Sequence, residues 1–224
     1  MFWFGKRKTE TTQETPRTSA DLYKEVLSKL SDNVFCKATK TDPSIAGNCL
    51  ESWYKEYKVN EWVTDNKIVN PDGNNGMSFV PISKALYIIG YGDTYTEFDF
   101  SDERLKELPD NAEITFIGGM FSEIKATDLF VKKQMPLSDI NTHLYLIKNT
   151  DISNLTGFLY TLNSPILSPI IHLEKLGYSD AAEFWRNVLR YIKKTNQFLE
   201  TAIKLQDKPQ QFMSAKSLQQ SILR

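Results

Sequence analysis

Cysteine and histidine are nearly missing from this chain of 224 residues: two of each, at Cys36, Cys49, His143 and His172. Two cysteines without a CxxC pair are too few for a disulfide scaffold, and two histidines with no cysteine or acidic cluster at ligand spacing make no zinc site. No cofactor and no metal is therefore expected. An excess of charge is missing too, since Lys+Arg 27 against Asp+Glu 28 gives a net charge of -1. The chain lacks the basicity that binding a phosphate backbone requires, which argues against general nucleic-acid binding. No stretch approaches the ~18 apolar residues of a membrane-spanning helix and no cleavable signal is evident, so the expectation is a soluble, cytoplasmic protein. What is present, 41% hydrophobic residues with 12% aromatics, suffices for an ordinary globular core.

The chain opens with "MFWFGKRK", in which Phe2, Trp3 and Phe4 precede Lys6, Arg7 and Lys8. Such a segment acts as a plug in a protein surface or as an aromatic and basic contact with a membrane interface. Residues 9–18 are polar and aperiodic, a linker. Thr18 and Asp21 then form a capping-box pattern before Leu22, Val26, Leu27 and Leu30 at helical spacing. A second helix is expected from Asp42-Pro43, with Ile45, Cys49 and Trp53 in a stripe beside Leu50 and Tyr57.

From Glu61 the period changes. "EWVTDNKIV", Met77 to Val80, Ala85 to Ile89, Tyr95 to Phe100 and Ala112 to Ile117 read as short strands, with turn chemistry over Asn70 to Gly76. Short links favour an antiparallel meander. Ser101 to Leu108 reads as a short helix whose N-terminal dipole the acids Asp99, Asp102 and Glu103 would favour, and Phe121 to Met135 fits either period. Beyond about Thr150 the chain turns helical: a face of Ile152, Leu155, Phe158, Leu159 and Leu162, a helix from Ser168-Pro169 to Gly177, and a long helix from Ser179 to about Gln206. The class is α+β: N-terminal helices, a central antiparallel meander, and a C-terminal helical part ending in a long amphipathic helix. The organisation is a tail and linker (1–18), an α+β domain (19–150), a helical part packed on it (151–206) and a tail (207–224).

Gly90-Tyr91-Gly92-Asp93 is the most enzyme-like feature, yet a phosphate loop needs glycines leading into a helix, and here Tyr95 stands where a third glycine belongs. The expectation is a hairpin with a positive φ at Gly90 or Gly92 and no nucleotide. Cys49 paired with His143 or His172 would make a nucleophilic couple, but Cys49 sits in an apolar stripe and His172 amid Ile170, Ile171 and Leu173, so these residues read as satisfied core or surface residues.

Pro109-Asp110 followed by Glu123-Ile124-Lys125 resembles, in this stretch only, the motif of the PD-(D/E)xK nucleases. The resemblance implies Mg²⁺ held by Asp110 and Glu123, with Lys125 orienting a water. Against it, a chain with 28 acids and 21 lysines holds about two or three (D/E)xK triplets by chance, and Glu56-Tyr57-Lys58 and Asp65-Asn66-Lys67 are two more. The other reading is a solvated strand face with a Glu/Lys pair.

In the last long helix the apolar arc covers roughly 200°. Trp185, Val188, Leu189, Ile192, Leu199 and Ile203 form a core stripe, while Phe184, Tyr191, Phe198 and Leu205 recur every seventh residue along its edge. Such a row suits a helical partner, or a helix buried on two sides in its own chain. These features favour a non-catalytic structural or interaction subunit of a larger intracellular or viral assembly, with protein partners or self-association. The alternatives are a Mg²⁺-dependent nuclease and a peripheral membrane protein held by its first eight residues.

Overall fold

A computed structural model describes residues 17–41, 55–65, 76–119, 122–153, 155–194 and 206–214, with single positions at 204 and 216. The expected helix after Asp42, the N-terminal plug and the end of the long helix lie outside these residues. Tyr57, assigned to that helix by its spacing, is buried outside any helix.

Helix α1 (Ser19–Ser28) starts where the capping pattern puts it. The Asp21 amide donates to Thr18 Oγ1 at 3.2 Å, and the Thr18 amide donates back to Asp21 Oδ2 at 3.2 Å. Two otherwise orphaned donors are satisfied, fixing the first turn. Among the described residues seven strands follow: β1 (Phe35–Thr39), β2 (Trp62–Thr64), β3 (Met77–Pro81), β4 (Thr94–Phe98), β5 (Ile114–Gly118), β6 (Glu123–Ala126) and β7 (Asp128–Pro136), with the one-turn helix α2 (Asp102–Leu105) after β4. They make one sheet in the order β2-β7-β4-β1-β3-β6-β5, antiparallel throughout. The antiparallel expectation holds, but only β5 and β6 are neighbours both in sequence and in the sheet, so the order is not that of a simple meander. The centre is β1, which sequence reading passed over. "FCKAT" has no clean alternation, because both its faces are covered and all five residues are buried.

Ala85 to Ile89 is not a strand, and the hairpin expected at Gly90-Tyr91-Gly92 is absent. Two 3-10 turns, Ile82–Tyr87 and Ile89–Tyr91, carry the chain from β3 to β4. In a 3-10 turn residues i and i+3 lie over one another, so Ile82, Ala85 and Ile88 align and all three are buried. A short apolar run satisfies either period, and only packing decides. Gly92 is extended, at φ -160°, and neither Gly90 nor Gly92 has a positive φ. Gly92 is glycine because of crowding: a Cβ there would lie 2.3 Å from the carbonyl oxygen of Thr39.

Helices α3 (Ile140–Asn149), α4 (Leu155–Asn163), α5 (Pro169–Lys175) and α6 (Ser179–Lys194) follow the sheet. Helix α5 ends as its glycine predicts, with Gly177 at φ +77°. The Tyr178 amide reaches Leu173 O at 2.9 Å and the Gly177 amide reaches Glu174 O at 3.0 Å, the paired bonds of a Schellman ending. Its Ser168 sits at the cap position but donates to Leu162 O at 2.8 Å instead of capping.

The sheet divides two cores. On one face Cys36, Val80 and Tyr95 meet Leu146, Leu173, Phe184 and Trp185 from the C-terminal helices. On the other Phe35, Met77, Phe79, Phe98, Ile124 and Leu129 meet Tyr23 and Val26 of α1 and Leu105 of α2. Residues 209–213, read from the sequence as the start of a tail, are docked on the first of these layers. Phe212 packs edge-on against Tyr191 at 5.2 Å, and Asn187 Nδ2 donates to Phe212 O at 3.0 Å.

Candidate functional site

The residues of the nuclease-like motif do not converge. Glu123 and Lys125 share one face of β6, where Ser78 Oγ donates to Glu123 Oε1 at 2.7 Å. Glu123 stands opposite Gly118, at one end of the β5–β6 pair, whereas Asp110 precedes Ile114 at the other end. Four residues of strand separate those ends, about 13 Å at the rise of an antiparallel strand. Asp110 is exposed and its backbone carbonyl accepts from Ser19 Oγ at 2.8 Å. Among the described residues no group of three His, Cys, Asp or Glu is placed to hold a metal ion.

Both histidines are tied into the scaffold. His143 is fully buried, with Nε2 donating to Leu137 O at 2.7 Å and Nδ1 accepting from the Trp185 indole N–H at 2.9 Å. Since tryptophan only donates, this fixes the neutral tautomer, and burial pushes the His143 pKa down to about 4. His172 Nε2 donates to Gly92 O at 2.6 Å, and burial lowers its pKa as well. Asp93 accepts from the Thr41 amide at 3.0 Å and from Thr94 Oγ1 at 2.8 Å, so the Gly-x-Gly-Asp segment is a junction between β1, β4 and α5. Burial pushes the Cys36 thiol up and keeps it un-ionised.

Of the aromatic row on the last helix, Phe184 is fully buried in the chain's own core, edge-on to Trp185 at 5.1 Å, and Tyr191 is half-buried against Phe212. Phe198 and Leu205, like Phe2, Trp3 and Phe4, lie outside the described residues.

Among the described residues a cleft of about 670 Å³ lies between α1, α2 and the edge of the second core. That size falls within the roughly 300–1,000 Å³ of ligand pockets. Half-buried Phe100 and the buried Phe35 and Phe98 line it from the sheet side, and Leu27 of α1 and Leu30 just beyond that helix line it opposite. Phe100 stacks on Phe79 at 5.4 Å and meets Phe35 edge-on at 5.6 Å, so the floor is a rigid phenyl cluster. Lys24, Asp32, Asp99, Asp102 and Lys132 surround it. Lys132 arrives through a β-bulge: the register passes from Glu97↔Lys133 to Phe98↔Val131, leaving Lys132 as the extra residue. A bulge re-aims a side chain, here toward the cleft. Lys24 pairs with Asp102 at 2.6 Å, leaving Asp32 and Asp99 against Lys132.

The sequence signal for this site was the alternation Phe98-Asp99-Phe100, which puts two rings on one face of the chain. Phe35 and Lys132 carried no such signal, since strand β1 and the bulge become visible only in the assembled sheet. Chemically, the cleft can receive an apolar or aromatic side chain and pair a charged group at its rim. No family model, curated protein or solved structure matches the chain.

Proposed function

We propose that the chain is a non-catalytic interaction subunit of a larger assembly, and that the cleft between α1, α2 and β4 is a docking surface for a protein partner. The observation that carries this is the cleft's make-up: a phenylalanine floor ringed by charged side chains has the apolar centre and polar rim of a protein interface. The rings supply area, and the charges supply register and partner choice.

The full chain isolated from its native source and weighed by mass photometry should appear in particles well above the 25.8 kDa of one chain. A single-chain mass at all salt concentrations, together with turnover of a substrate, would reverse the reading.

A further inference from the structure

We infer that the outer edge of the sheet at β5 pairs with β5 of a second copy of this chain, antiparallel about a two-fold axis at Thr115. This surface is separate from the cleft and does not rest on it. The sheet order puts β2 and β5 at its two ends. An end strand turns the N–H and C=O of every second residue away from its neighbour, where another strand can pair with them. On β2, the Val131 amide donates to Glu61 O and the Asp65 amide to Thr127 O, so Glu61, Val63 and Asp65 face β7 while Trp62 and Thr64 face outward. That edge is three residues long, and its outward Thr64 O accepts from Lys55 Nζ at 3.2 Å. On β5, the Thr127 amide donates to Glu113 O, so Glu113 and Thr115 face β6 and the backbone of Ile114 and Phe116 faces outward. Among the described residues no strand pairs with that side of β5. None of its residues is charged, and Phe116 is 41% exposed.

Self-complementarity selects the second copy and the register. Ladder bonds form where outward-facing residues stand opposite each other. With the axis at Thr115, Ile114 stands opposite the second copy's Phe116 and Phe116 opposite the second copy's Ile114, each pair exchanging both bonds and joining an aromatic to a β-branched side chain. Thr115 meets the second copy's Thr115 at a non-hydrogen-bonded position, where side chains are closest and threonine pairs are favourable. Glu113 falls opposite the second copy's Ile117, so no like charges meet. An axis at Ile114 would need the Ala112 amide, which already donates to Pro109 O at 3.0 Å. An axis at Phe116 would need Gly118, which lies beyond the bulge at φ +83°. The join runs over Ile114 to Phe116 of each copy, well short of the roughly 1,200 Å² of a stable interface. Pairing therefore belongs to high micromolar concentrations and is lost at the nanomolar concentrations of mass photometry.

The test is sedimentation velocity of the full-length chain from low micromolar to near-millimolar concentration. The mean mass should rise from 25.8 kDa toward twice that value and stop there, because a two-fold pair is closed. Thr115→Glu and Thr115→Lys should each weaken association at least about tenfold by setting like charges against each other, and an equimolar mixture of the two should restore it. Phe116→Pro removes an outward N–H that the chain's own ladder does not use and should abolish association; Phe116→Lys replaces it if circular dichroism shows that it misfolds. The mass of one chain at every concentration overturns the inference. So does association that none of these variants weakens, or a mixture no tighter than either Thr115 variant alone.

Discussion

The described residues cover the two faces of the sheet to different extents. Four helices and residues 209–213 close the face carrying Cys36, Val80 and Tyr95. The indole and imidazole buried there satisfy each other, Trp185 on His143. Among the described residues the opposite face is covered by α1, with ten residues, and α2, with four, and between them half-buried Phe100 lies over the buried Phe35, Phe79 and Phe98. A histidine, a thiol and a carboxylate junction, the groups a sequence search for chemistry selects, all serve the closed side or the crossing of strands. The groups left partly exposed at the cleft are Phe100, Leu27 and Leu30 with the rim charges, which such a search passes over. Burial separates the two kinds of residue more sharply than residue type does.

The closed face should fail hardest. Trp185→Ala removes a fully buried indole and orphans His143 Nδ1, and should cost about 3–5 kcal/mol, read as a lowered urea midpoint. Retention of the wild-type midpoint would mean that the face is not close-packed.

The same face should be acid-sensitive. His143 has a pKa of about 4 in the fold against 6.5 when free, so below pH 6.5 the unfolded chain takes up a proton that the folded chain refuses. Stability attributable to His143 is therefore complete above about pH 6.5, falls as pH drops, and levels off near pH 4, for a total loss of about 3 kcal/mol. Urea titrations at pH 7, 5.5 and 4.5 on the wild type and on His143→Gln should show a steeper fall in the wild type. Parallel curves would remove His143 as the cause.

At the crossing between the faces, Gly92→Ala pushes a methyl group into the Thr39 backbone and should cost about 1–3 kcal/mol, measured by thermal unfolding. A neutral result would show that β1 and β4 can move apart at that point. The open face should yield least: Thr18→Ala unties the α1 cap for about 1 kcal/mol, and Lys132→Glu, at an exposed bulge, should stay within about 0.5 kcal/mol.

How far the sequence was legible follows the same division. Local signals were read correctly where one or two side chains decide the geometry, as at the Thr18–Asp21 box and the Gly177 helix stop. They misled where packing decides: Ala85 to Ile89 has strand composition but lies in 3-10 turns, and Gly92 answers to the Thr39 carbonyl instead of to a turn. Strand β1 was invisible because a strand buried on both faces has no alternation, and without it neither the sheet order nor the cleft can be assembled. The Asp110, Glu123 and Lys125 spacing was readable, but the β5–β6 register, which puts Asp110 and Glu123 at opposite ends, was not.

The central claim, that the closed face holds the fold and the open face holds the partner, is tested most directly by isolating complexes with the full-length chain and with a Leu27→Glu, Asp99→Lys double variant. Both changes lie in the cleft lining and neither touches the C-terminal helices. If the account is right, the variant unfolds within a few degrees of the wild type yet runs as one 25.8 kDa chain while the wild type runs in a larger complex. A variant that is equally stable and still enters a complex of the same mass and composition would contradict it.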